Sequence, residues 1–122
     1  MDKLIDYALG LSFCADIEDI YVDIMNMFCD ERDEKYNELE QLLAAKDWEN
    51  YTIKIHALKT NAKNIGSNCL FEKCLELEMA SKKVQAGEDV AAQIAFIETN
   101  HPITMALFDE VVAAAKVYLA RQ

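Results

Sequence analysis

One proline and three glycines in 122 residues leave little material for hairpin turns. That scarcity sets aside many-stranded folds and favours a few long helices. Basic residues are also few: 12 Lys and Arg stand against 22 Asp and Glu, for a net charge of −10. A nucleic-acid partner is not expected, because phosphate binding needs a basic face, and a wholly acidic surface points towards protein partners. No apolar run approaches the ~20 residues of a membrane span, and no basic segment leads into an apolar block as in a signal peptide. Cys14, Cys29, Cys69 and Cys74 form no Cys-x-x-Cys pair. They fall in apolar-periodic stretches, as free thiols do in a reducing cytosol, rather than in a disulfide framework or a zinc site. What remains is a chain of ordinary globular composition, 52% hydrophobic and 28% charged. It reads as one cytoplasmic domain over residues 1–122. Met1 and the absence of a linker-like stretch point to a free-standing protein.

The apolar residues recur at three and four. A short amphipathic helix is predicted over about Asp2 to Leu11, ending near Gly10. Asp16 is the expected cap of the next, whose apolar positions are Ile17, Ile20, Ile24 and Phe28. The acidic cluster Asp30 to Asp33 suits the start of a third helix, since carboxylates favour the positive end of the dipole; Tyr36, Leu39, Leu42 and Leu43 carry it to about Lys46. Asp47 should cap a helix with the seam Trp48, Tyr51, Ile55, Leu58, Ala62 and Ile65, closed by Gly66 as a left-handed cap residue. Ser67 or Asn68 then caps a helix with Leu70, Cys74, Leu77 and Val84 inward, ended by Gly87. The last region, about Asp89 to Leu119, is helical with an expected break at Asn100-His101-Pro102, because proline suits the first turn of a helix and not its interior. Ile94, Ile97, Leu107, Val111 and Tyr118 should close the core. The fold class is therefore all-α: an antiparallel four-helix bundle with a short additional N-terminal helix and a broken C-terminal helical region.

Only two histidines occur. At about 100° per residue, His56 lies roughly 130° from the mean direction of its helix's seam, and so faces outward. Lys63 shares its azimuth about 10 Å further along the axis, while Lys59, Thr60 and Thr52 flank it at three and four residues. An exposed imidazole beside two ammonium groups is unexpected on so acidic a chain. It is no metal site, for His56 has no His, Cys or carboxylate three or four residues away. The local sequence offers no nucleophile with an orienting acid either. The arrangement suits a phosphoryl group: imidazole nitrogen is a nucleophile, and lysine is a point-charge partner for phosphate oxygens.

The segment "HALKTNAKNIGS" resembles the phosphoacceptor motif of histidine-containing phosphotransfer (HPt) domains, His-x-Leu-Lys-Gly/Ser-x-Ala/Ser-x-x-Ile/Leu-Gly, at His56, Leu58, Lys59, Ala62, Ile65 and Gly66. The next helix is similar to the family's Leu-x-x-x-Ala-x-x-Leu-Glu-x-Ala at Leu70, Cys74, Leu77, Glu78 and Ala80. Tyr21, Phe28 and "LLAAKDW" fit its rhythm too. Two positions depart: Thr60 stands where the family has Gly or Ser, and Cys74 where it has Ala. Thr60 either narrows the approach to the imidazole or donates its hydroxyl to the phosphate.

The resemblance implies a phosphorelay intermediate that takes a phosphoryl group on His56 from a receiver-domain aspartate and passes it to another. Lys59 would stabilise the phosphate and Lys63, from its azimuth, would assist. Such a carrier is not a kinase; no glycine-rich nucleotide loop is present. It needs no cofactor of its own, the Mg²⁺ belonging to the receiver. Its expected partners are the receiver domains of response regulators and hybrid kinases, docking beside Ile53 and parts of the first two helices, and it is expected to be a monomer. The competing readings are a helical adaptor that docks on receivers or kinases without carrying phosphate, and a kinase dimerisation helix pair. The latter usually has an acidic residue after the histidine, where this chain has Ala57. His101 shares no motif and reads as structural or incidental. The run "CDERDEKYNELE" reads as a solvated helix face.

Overall fold

A computed structural model describes residues 3–122. Among them the chain forms six helices and no strand: α1 (Tyr7–Phe13), α2 (Glu18–Asp30), α3 (Arg32–Ala45), α4 (Trp48–Asn64), α5 (Asn68–Gln85) and α6 (Val90–Ala120). The hydrogen-bond ladder crosses the α2–α3 junction, Glu31 N donating to Met27 O at 3.0 Å and Lys35 N to Glu31 O at 3.0 Å. The two helices therefore act as one rod. That rod, α4, α5 and α6 form the four walls of the bundle in cyclic order, so α4 and α6 lie on opposite corners. Short connections force each wall to run against the one before it.

The connections follow local chemistry. Asp47 caps α4 by accepting from Asn50 N at 3.3 Å. Lys46 ends α3 in the left-handed region, φ 54°. Of the seam predicted for α4, Tyr51, Ile55, Leu58, Ala62 and Ile65 are fully buried, against Tyr21, Leu70, Leu77 and Phe108, and Trp48 at its start is half-buried. Gly66 follows at φ +88°, where a side chain is strained. Its carbonyl accepts from Asp6 N at 2.9 Å, and a Cβ there would collide with the Asp6 carbonyl. Tyr21 completes the clasp, its hydroxyl donating to Ile65 O at 2.7 Å.

Three expectations are corrected. The first helix starts at Tyr7, capped by Asp6, and runs past Gly10 to Phe13; the expected start at Asp2 lies outside the described residues. Gly10 is interior because the Tyr21 ring and the Ile65 carbonyl occupy the space a Cβ would need. Asp16 is not the cap of α2: it sits in the turn at φ 60°, and Ile17 takes the cap position with no side-chain bond. Most substantially, the C-terminal region is not broken. α6 is one helix of 31 residues with Pro102 inside it. The lost Pro102 donor falls on the solvent side, while Ile97, His101, Thr104, Met105 and Phe108 are buried on the other. Tertiary packing along that face holds the helix together across a residue that disfavours it.

Candidate functional site

His56 sits in the middle of α4, on the side away from the seam. Its side chain is 58% exposed, as the azimuth predicts. The ring is nevertheless held: Nδ1 lies 2.7 Å from Oε2 of Glu78 on α5. Nε2 has no hydrogen-bond partner among the described residues.

Glu78 is the hub of the site. Only 3% of its side chain is exposed, yet three cationic or cation-forming groups meet its carboxylate: His56, Lys59 through Oε1, and Lys82 at 3.2 Å from Oε2. Burial pushes the carboxyl pKa upward, but the bonds from Lys59, His56 and Lys82 outweigh it and hold the group at about 2. At neutral pH the carboxylate is thus ionised and can only accept. Nδ1 must therefore carry the proton, which leaves the lone pair of the neutral ring on Nε2, the unpartnered nitrogen.

The lysines do not stand as two free ammonium groups beside the imidazole. Lys59 is folded inward, 16% exposed, with its ammonium on Glu78 and 5.9 Å from the centre of the Phe71 ring. Lys63 reaches towards the same ring, at 6.0 Å. Thr60 donates its hydroxyl to His56 O at 3.2 Å along its own helix. An exposed cation reaches the same carboxylate oxygen as His56 from α5. Lys82 lines a shallow groove with His56, Glu78, Thr52 and Ile53. Below it, Gln85 Nε2 donates to Thr52 Oγ1 at 2.6 Å and to Trp48 O at 2.9 Å, and Thr52 Oγ1 stands 2.8 Å from Ser81 Oγ. These bonds fix the rotation of α5 against α4. No group of three His, Cys, Asp or Glu able to hold a metal occurs among the described residues.

A family model for the Hpt domain matches residues 23–115, from α2 to near the end of α6. The chain belongs to the Hpt family. Hpt domains are phosphotransfer carriers rather than kinases, and they serve phosphorelays through interaction with receiver domains. Comparisons with curated proteins and with solved structures return no match. No helix of the described residues is long and apolar enough to cross a membrane.

Two groups of this candidate site escape a reading of α4 alone. Glu78 enters the sequence reading as part of a family pattern, without a task, and Lys82 not at all. A signal for both is present: Glu78 adjoins the inward positions Cys74 and Leu77, where an unpaired carboxylate is costly, and Lys82 follows four residues later. Cys74, where the family has Ala, is buried beneath the site. Burial foremost, and then the Glu78 charge, push its thiol up to about 12, so it packs as an uncharged residue.

Proposed function

We propose that His56 is the phosphoacceptor of this Hpt domain, taking a phosphoryl group from a receiver aspartyl phosphate and giving it to the aspartate of another receiver. The observation that carries this reading is the bond between His56 Nδ1 and the ionised Glu78. It fixes the proton on the inner nitrogen and leaves the outer one, Nε2, nucleophilic and accessible. In the forward step the Nε2 lone pair attacks phosphorus as the bond between phosphorus and the aspartyl oxygen breaks; that oxygen keeps the bonding pair and leaves as a carboxylate. The positive charge that develops on the ring is met by Glu78. Reversal against a second aspartate returns the domain to its starting state.

Lys59 and Lys82 share the role first expected of Lys59 and Lys63. Both rest on Glu78 before transfer. Lys82, more exposed, has the reach to meet phosphate oxygens in the groove as a point charge, while Lys59 keeps Glu78 ionised from below. Lys63 contributes positive potential at longer range. Thr60, whose hydroxyl proton is already engaged along the helix, shapes the approach. The Mg²⁺ and the acidic pocket belong to the receiver, and the domain supplies no cofactor. Docking uses the exposed apolar Ile53 beside His56 and, on α2, Met27, which lines a separate cleft with Asn61 and Asn64 of α4, together with Ile20.

The test is incubation with a phosphorylated receiver. Acid-labile, base-stable label should appear on the domain and vanish in His56→Gln. Binding of the receiver without any label would establish the adaptor reading in its place.

A further inference from the structure

Beneath the imidazole the contact between α4 and α5 is polar, and three rungs cross it. Gln85 Nε2 donates to Trp48 O at 2.9 Å, Thr52 Oγ1 to Ser81 Oγ at 2.8 Å, and His56 Nδ1 to Glu78 Oε2 at 2.7 Å. On α4 the rungs are one turn apart, about 6 Å at 1.5 Å per residue. On α5 the same three run in the opposite direction. Thr52, Ser81 and Glu78 are all buried. The rungs are also joined to one another. Gln85 Nε2 donates to Thr52 Oγ1 at 2.6 Å, and Ser81 Oγ donates to Glu78 O at 3.0 Å. Thr52 Oγ1 shares its proton with Trp48 O, 2.7 Å away and already served by Gln85. A chain of donors from Gln85 through Thr52 and Ser81 thus ends on the backbone of the residue whose carboxylate holds His56.

We propose that Thr52 is a positioning residue for phosphotransfer: through Ser81 it sets the register of α5 on α4, so that the Glu78 carboxylate meets Nδ1 and Nε2 is left as the nucleophile. This role presupposes His56 as the phosphoacceptor. Its physical ground is the difference between two kinds of contact. Apolar burial is non-directional and lets packed helices slide and rotate slightly. A hydrogen bond weakens steeply as its angle departs from linear. Two hydroxyls taken out of water gain little net stability from each other, so an apolar pair of the same shape would hold α5 against α4 as firmly. It would not hold it in one register.

The position of the rung matters as much as its chemistry. Thr52 precedes His56 by four residues on the same face of α4, and Ser81 follows Glu78 by three on α5. The fixed point therefore lies one turn from the bond it serves. Lys59 and Lys82 also meet the Glu78 carboxylate, but their long flexible stems can follow it if it moves. The short side chain of His56 cannot. A loosened register thus leaves Glu78 ionised by its lysines and releases the ring, whose tautomer is set by the bond at Nδ1.

Thr52→Val keeps the shape of the side chain and removes the hydroxyl. Nitrogen NMR of the neutral imidazole should find the proton confined to Nδ1 in the wild type and spread over both nitrogens in the variant. Rapid-quench label uptake from a phosphorylated receiver should slow by about 2–10-fold, the effect of losing one neutral hydrogen bond. Thr52→Ser returns the hydroxyl and should restore both readings. Ser81→Ala breaks the same rung from α5 and should reproduce both changes, so the result does not hang on the folding of one variant. A residue that acts through Glu78 has nothing to position once that carboxylate is gone. Adding Thr52→Val to Glu78→Gln should therefore slow uptake no further, whereas a general weakening of the fold would. An unchanged tautomer or uptake rate in Thr52→Val and Ser81→Ala, or a full additional loss in the double variant, would overturn the role of Thr52, while label on the wild type keeps His56 as the acceptor. A wild type that takes no label would remove both.

Discussion

His56 Nδ1 lies 2.7 Å from Glu78 Oε2, so a charged hydrogen bond ties the exposed face of α4 to the buried face of α5. The bond makes two demands on one carboxylate. It must stay ionised though buried, and it must hold the ring with the outer nitrogen free. Lys59 and Lys82 answer the first demand, and the interlocked α4–α5 contact beneath the groove answers the second.

Replacing that charge should separate orientation from accessibility. Glu78→Gln keeps an acceptor oxygen of nearly the same size, so the ring stays exposed, but its charge-assisted bond is lost. Such bonds are worth about 1.5–3 kcal/mol, which corresponds to roughly a 10–100-fold slower transfer. Rapid-quench measurement of label uptake from a phosphorylated receiver reads this directly. An unchanged rate would mean that Glu78 has no part in preparing His56.

The same carboxylate sets an acid limit on stability. Its folded pKa, about 2, lies below its ordinary 4.5. The ionised form is therefore favoured in the folded state, and its contribution is fully present above about pH 4.5 and drains away as the pH falls towards 2. Urea unfolding at pH 7 and pH 3 should show a loss of stability that shrinks in Glu78→Gln. Equal losses in the two proteins would remove Glu78 from the acid response.

Gly66 joins the end of α4 to the N-terminal segment. Its φ of +88° and the Asp6 carbonyl against its open side leave no room for a Cβ. Gly66→Ala must either strain the backbone, by about 1–2 kcal/mol, or push the N-terminal segment off the bundle. The urea midpoint should fall by a matching amount with an unchanged slope if the segment stays docked. A midpoint equal to that of the wild type would contradict the cap geometry.

The features legible in the sequence are those fixed by one helix at a time. The seam of α4, the exposure of His56 and the turn at Gly66 follow from periodicity and from the conformational rules of single residues. Pro102 misleads because a rule about local geometry gives no weight to the five buried side chains that bracket it on α6. Asp16 misleads for a similar reason: an acidic residue ahead of an apolar run is a good cap only if its backbone is extended, and the tight α1–α2 turn makes it left-handed. The lysines show the limit most clearly. Their azimuth on α4 is right, but where an ammonium comes to rest depends on how α5 is rotated, and it is α5 that brings Glu78 and Lys82 under the imidazole.

The second histidine ties three helices together. His101 is buried, with Nδ1 2.8 Å from the Tyr51 hydroxyl and Nε2 2.7 Å from Glu40 Oε1. Burial foremost, together with the nearby Cys74 and Glu40, raises the Tyr51 phenol pKa, so its hydroxyl keeps its proton and donates. Nε2–H in turn donates to the carboxylate, and both ring nitrogens of a neutral imidazole are satisfied. This bridge clasps α6 to α3 and α4 one residue before Pro102, where the helix ladder has lost a donor. His101→Ala leaves a cavity and strands the Tyr51 hydroxyl, at a cost of about 2–4 kcal/mol. Urea unfolding should register that loss, while label uptake at His56 persists at a temperature where the variant remains folded. A change below about 0.5 kcal/mol, the level of ordinary surface substitutions, would show that the bridge does not hold the helix across its proline.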